Sequence, residues 1–166
     1  MKKLPVFLSL LASTLVFASC EKEIEEIKDP AQEVAAAATT VQSKPELLAA
    51  GPWRLTSLQL ATVTPGTDAT PAVDLFPRMK DAQRDNLHIF TSGGSYTLDE
   101  AAVKAHPEAP QQLTGSWTLS GDSLTVSQAE VTRHYAVEEL TNTTLRLKLA
   151  QTTEQGTTTY TSVFAR

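Results

Sequence analysis

Cysteine is nearly absent from this chain: Cys20 is the only one in 166 residues. A lone thiol excludes an intramolecular disulfide and any multi-cysteine zinc site. Bases are in deficit, 14 Lys and Arg against 19 Asp and Glu, for a formal net charge of -5. That balance offers no basic face to a nucleic acid. The only histidines are His88, His106 and His134. None shares a helix face or close spacing with another, and no acidic pair brackets them, so metal-ligand spacing is missing. Ser92-Gly93-Gly94-Ser95 lacks the strand–loop–helix context of a phosphate cradle, and no cofactor is implied. No apolar run is long enough to span a bilayer comfortably; the run Leu4 to Phe17 is of signal-peptide length. What is present is a globular composition, 41% hydrophobic and 20% charged. Threonine is concentrated beyond residue 55, which favours strands there.

The N-terminus carries an address. Met1-Lys2-Lys3 is a short basic start, Leu4 to Phe17 is apolar, and Ala18-Ser19 are small residues before Cys20. This resembles a bacterial lipoprotein signal, in which the cysteine is lipidated and becomes the mature N-terminus. Phe17 stands where such signals usually have Leu. The resemblance implies a signal peptide over 1–19 and a membrane attachment through lipid at Cys20. An ordinary secretory signal with an incidental Cys is the plainer alternative. Removal of Lys2 and Lys3 leaves 12 bases against 19 acids, net -7. Glu21, Glu23, Glu25, Glu26, Asp29 and Glu33 face only Lys22 and Lys28 in the segment that follows. Acidic runs at this place accompany surface display of lipoproteins in some Gram-negative phyla, so the expectation is an outer-membrane anchor at the cell surface. The alternative is a solvated spacer. Residues 20–43 as a flexible tether would span roughly 25–30 Å.

The folded domain is expected over 44–166. Pro45 and Gly51 bracket a short helix, Glu46 to Ala50. Strand patterns follow at 53–63, 87–91, 95–99, 113–119, 123–127, 130–138, 143–149 and 157–164. Ser92-Gly93-Gly94 and Ser120-Gly121-Asp122 read as hairpin turns. Leu145, Leu147 and Leu149 alternate with Thr144, Arg146 and Lys148, as in a sheet wetted on one face. The apolar phase of the first strand slips between Leu55 and Leu58, which predicts a bulge. The connection 64–86, with Pro65, Pro71 and Pro77, is too long for a hairpin; it is expected to hold a helical turn near Arg78–Arg84 and to cover one barrel end. Ala101 to Pro110 is a second irregular insertion. These features predict an all-β, eight-stranded antiparallel up-and-down barrel with a short N-terminal helix.

The ordered series Gly51-Pro52-Trp53-Arg54-Leu55, Phe90-Thr91-Ser92-Gly93-Gly94-Ser95-Tyr96, Gly115-Ser116-Trp117-Thr118-Leu119 and Gly121-Asp122-Ser123-Leu124-Thr125-Val126 resembles the small lipocalin-like domains of bacterial surface lipoproteins. That resemblance implies a barrel able to hold a small apolar molecule, with no particular ligand. It implies closure by Trp53 packed with Phe164 and beneath a basic side chain, here Arg166; a frayed, solvated Arg166 is the alternative. Related sequences often carry two loop cysteines near the positions of Ala82 and Ala105, and this chain has neither.

Two motifs invite chemistry. Gly121-Asp122-Ser123-Leu124 spells the nucleophile block of a serine-esterase class, but it lies between strand patterns and no downstream Asp-x-x-His supplies a base. The expectation is a turn and no enzyme. Arg133 and Tyr135 share one strand face with Val131 and Val137. An Arg on an apolar face needs a partner. The pair resembles the carboxylate grip of fatty-acid-binding barrels, Arg giving a bidentate fork and Tyr a hydroxyl. Otherwise Arg133 sits at a barrel end and reaches water or an acid. The function these readings point to is a lipid-anchored binding module for a small apolar or amphipathic molecule. A filled barrel acting as a structural or protein-interaction module is the alternative, and an esterase using Ser123 a remote one.

Overall fold

The structure, a computed structural model, describes residues 42–67 and 70–166. Cys20, the signal segment and all but the last two residues of the tether lie outside the described residues. Among those described, no helix is long and apolar enough to cross a membrane.

The described residues open with α1 (Lys44–Ala49), two residues ahead of the expected start. Ser43 is the cause. Its N–H and its hydroxyl both donate to the Glu46 carboxylate at 2.7 Å, a reciprocal cap that satisfies donors the first turn leaves free. These bonds hold the Glu46 carboxyl below its ordinary value.

Nine strands follow: β1 (Trp53–Val63), β2 (Val73–Asp74), β3 (Leu87–Phe90), β4 (Ser95–Asp99), β5 (Gln112–Ser120), β6 (Ser123–Gln128), β7 (Val131–Leu140), β8 (Thr144–Thr153) and β9 (Gly156–Ala165). A 3₁₀ turn at Phe76–Arg78 and α2 (Asp81–Arg84) lie between β2 and β3. From β3 onward every strand pairs antiparallel with the next, β3 also pairs with β1, and β9 returns to β1 from Arg54↔Ala165 to Val63↔Thr157. The result is a closed, eight-stranded antiparallel up-and-down barrel. β2 is an addition to it, two residues laid against Gln59 and Leu60.

The phase slip in β1 is a bulge: the register jumps between Leu55 and Ser57, and the unpaired Thr56 donates its hydroxyl to the Val163 carbonyl at 3.1 Å. A second bulge lies between Val137 and Glu139. It leaves Glu138 and Glu139 both exposed, beside Lys148 and Arg146 respectively, each pair at 3.5 Å. Such exposed pairs contribute little to stability.

One end of the barrel is sealed. Leu48 of α1 and Trp53 of β1 are fully buried, and α1 touches both β3 and β7, strands on opposite sides of the ring. The Trp53 indole N–H donates to the Leu48 carbonyl at 2.9 Å. Lys44 pairs with Asp122 in the β5–β6 turn. Arg166 lies over the Trp53 ring at 4.5 Å, and its guanidinium bonds the carbonyls of Asn142 and Leu47. The last residue thereby joins α1, β1 and the β7–β8 turn.

The opposite end is reached by the two long connections. In the first, Leu75 N–H bonds the Leu58 carbonyl at 2.8 Å and Thr70 N–H the Thr62 carbonyl at 3.1 Å, so this segment lies along β1. In the second, the N–H groups of Ala102 and Val103 donate to Asp85 of the first at 3.1 and 2.9 Å, and that of Ala105 donates to Glu100 at 3.2 Å. The Asp85 carboxylate therefore ties the two connections together.

Candidate functional site

Alternation along the strands decides what faces inward. Tyr96 and Leu98 on β4, Leu124, Val126 and Gln128 on β6, and Arg133 and Tyr135 on β7 all fall on the interior phase of the register. So do Leu145 and Leu147 on β8 and Ser162 and Phe164 on β9. These side chains do not fill the barrel. A cavity of about 320 Å³ remains, near the lower limit of ligand pockets, which run ~300–1,000 Å³. Its apolar wall includes Leu55, Leu58, Phe90, Leu145, Leu147 and Phe164. Met79, Gln83 and Asn86 border it from the long connection, as expected of a segment covering one barrel end.

Three polar stations punctuate this wall. Arg133 and Tyr135 line it together on β7, with Gln128 beside them on β6. Arg133 is exposed and Tyr135 half-buried, so the pair runs from the mouth inward. Tyr96 lies close enough for its charge state to respond to both. Burial raises the Tyr96 and Tyr135 phenols above their ordinary value, the Arg133 charge opposing it in each. Both phenols stay protonated at neutral pH and remain hydrogen-bond donors. No Asp or Glu lines the cavity, and among the described residues Arg133 belongs to none of the ion pairs. A guanidinium and two phenols directed into one space without an acid form a donor set suited to an anion.

The second station is His88, whose Nδ1 lies 2.8 Å from the Tyr96 hydroxyl and whose ring meets Phe164 edge-on at 5.0 Å. Desolvation pushes His88 down to about 4, so the ring is neutral. The third is Asn86 in the cover, whose side-chain oxygen is buried without a partner.

The remaining residues singled out in the sequence fall elsewhere. Arg166 lies over Trp53 at the sealed end, whereas Phe164, opposite Leu55 and Leu145, lines the cavity against His88. Ser123 is exposed at the start of β6, directly after a turn in which Gly121 has φ +59°, and the Asp122 side chain is engaged by Lys44. His134 points outward and bonds the Thr125 hydroxyl at 3.0 Å. His106 is exposed in the second loop. Asn142 sits in the β7–β8 turn, where the Thr141 hydroxyl accepts the N–H groups of Thr143 and Thr144. No cluster of three or more metal-ligating side chains occurs among the described residues.

Sequence reasoning missed Tyr96, His88, Asn86, Met79 and Gln83 as cavity residues. For Tyr96 the signal existed, since Tyr96 and Leu98 alternate with Ser95, Thr97 and Asp99. For the cover residues there was none, because a segment rich in proline has no periodicity from which to read a face.

A family model described as a domain of unknown function (DUF5004) matches residues 11–164. The chain belongs to this family. The DUF5004 match begins within the expected signal segment and runs through the last strand. Among solved structures the DUF5004 chain is similar to a lipocalin-like protein from Bacteroides uniformis, at 18% identity and a TM-score of 0.42, covering 72% of this chain and 98% of that one. No curated protein matches it.

Proposed function

We propose that this DUF5004 chain is a binding module of a bacterial cell envelope, anchored to the outer membrane through lipid at Cys20, and that its barrel holds a small amphipathic molecule. The observation that carries the reading is the cavity. It is apolar over most of its wall, and its one charged lining residue, Arg133, faces no acid. The apolar body of the ligand lies against Leu55, Leu58, Leu145 and Phe164. Its polar end is an anion held by Arg133 and Tyr135, with the Tyr96 hydroxyl within reach. The acidic segment from Glu21 to Glu33 supports surface display on the tether. Nothing in this reading requires bond-making chemistry, and Ser123 takes no part in it.

The test is purification of the native lipoprotein from its own membranes in mild detergent, followed by mass spectrometry of what accompanies it. An acidic amphiphile in stoichiometric amount, lost on Arg133→Gln, is the expected result. Protein that carries no small molecule, and takes up none from the membrane extract, overturns the reading. Release of the Cys20→Ala protein from membranes tests the anchor separately.

A further inference from the structure

The barrel wall is interrupted at one place. β7 and β8 are in register only from Ala136↔Lys148 to Leu140↔Leu145. Both strands run on past that rung towards the open end, β7 through Val131–Tyr135 and β8 through Leu149–Thr153. There β7 pairs only with β6, and β8 only with β9. A second interruption separates β1 from β3 beyond Trp53↔His88 and Arg54↔Leu87, but the chain fills that one itself. β2 lies against Gln59 and Leu60, and Thr70 and Leu75 bond the Thr62 and Leu58 carbonyls. Among the described residues nothing fills the interruption between β7 and β8.

Resting on the ligand-binding reading above, we propose that the opening between β7 and β8 is the lateral portal through which a single-chain anionic amphiphile enters and leaves the barrel. The end of the barrel is bordered by Met79, Gln83 and Asn86 of the long connection, whereas the side is closed by no ladder. Unpaired strand edges keep their backbone groups hydrated, so parting them further breaks no hydrogen bond between strands. The inner face of the β7 bank carries the residues an amphiphile would meet in order: Val131, which is 47% exposed, then Arg133, then Tyr135. An anionic head stays at Arg133, near water, while the apolar body slides past Leu147 into the cavity.

The test is a reversible cross-link. Extending the β7–β8 register sets His134 opposite Ala150, both exposed and outside the cavity. The chain carrying Cys20→Ser, His134→Cys and Ala150→Cys is compared, oxidised and reduced, with an Ala136→Cys, Lys148→Cys control inside the intact ladder. The probe is anilinonaphthalene sulfonate, a fluorescent aromatic anion, followed by stopped flow. Oxidation of the 134–150 pair is expected to slow association and release alike, by about tenfold or more, with the equilibrium affinity unchanged; oxidation of the control changes neither rate. Unaltered rates in protein whose disulfide is verified by mass overturn the portal. If the disulfide does not form, hydrogen exchange decides. Residues 131–135 and 149–153 are expected to exchange faster than 136–140 and 144–148 and to slow when probe binds, and equal protection in the free protein overturns the proposal. Failure of the reduced protein to bind the probe at all overturns the ligand-binding reading, and the portal with it.

Discussion

The two ends of this barrel are built to different rules. At the sealed end the strand ladder is complete, Leu48 and Trp53 are fully buried, and α1, β1 and the C-terminal Arg166 are tied by an indole hydrogen bond, two carbonyl contacts and a cation–π contact. At the open end the same strands carry Arg133, Tyr135 and Tyr96 around unfilled space, and the ladder between β7 and β8 stops. One end spends its side chains on packing. The other turns an exposed guanidinium and two phenols, one of them bonded to His88, towards a cavity. The comparison teaches that stability and recognition are separated along the barrel axis, within strands only nine to eleven residues long at β1, β5 and β8.

Substitutions can break that division, and the largest effect is expected at the sealed end. Trp53→Ala removes a fully buried ring and the donor to Leu48, and should lower unfolding free energy by about 3–5 kcal/mol, read from the urea midpoint with Trp117 as the remaining fluorophore. A loss no larger than that of a surface substitution would show that the plug is not where stability resides.

His88 lies between the two ends, and its effect depends on pH. Its folded value, lowered from 6.5 to about 4, means that acid protonates the unfolded chain first. The contribution of neutral His88 is therefore fully present above about pH 6.5 and is lost as pH falls through that value towards 4. The loss over this window should approach ~3 kcal/mol. Denaturant titrations across it, compared with His88→Gln, should show this part of the pH dependence disappear in the variant; identical pH profiles would contradict a neutral, desolvated ring.

Arg166→Ala should cost less, about 1–2 kcal/mol, from a partly exposed cation–π contact and two carbonyl bonds. Thermal unfolding with and without added salt would check it. If the change is within error, Arg166 is ornamental and the closure rests on Trp53 and Leu48. Smallest of all, Arg133→Gln should shift stability by no more than about 0.5 kcal/mol, while weakening anionic-probe binding in a fluorescence titration. A variant markedly less stable, with binding intact, would assign Arg133 to the scaffold and dissolve the distinction between the two ends.

Most of the scaffold was legible. The bulge in β1 could be read from the slip between Leu55 and Leu58, because a period of two admits no other way to keep both residues inside. The hairpins at Gly94 and Gly121 are legible because these turns need positive φ, which the structure shows at +81° and +59°. Less was legible of where strands end. Thr143–Leu149 proves to be Thr144–Thr153, and β9 begins at Gly156. Gln151, Thr152 and Thr153 are polar and exposed, so no hydrophobic period marks them; the ladder with β9 makes them a strand. The helix starts ahead of Glu46 because the Ser43–Glu46 cap, and not Pro45 alone, fixes its first turn. Of the site, Arg133 and Tyr135 could be placed on one face, but their meeting with Tyr96 required knowing which strands are neighbours.

By itself the sequence determined the all-β class, the meander order and the inward phase of most strands. These follow from local rules, since alternation and turn chemistry act over two to four residues. Only the tertiary structure decided that β2 and Thr70 cover one gap while the β7–β8 gap is left open, and that the inward faces enclose a cavity instead of filling it. Those outcomes depend on how much volume eight inward faces supply against the circumference that their register defines, a sum over the whole ring that no segment of the chain contains.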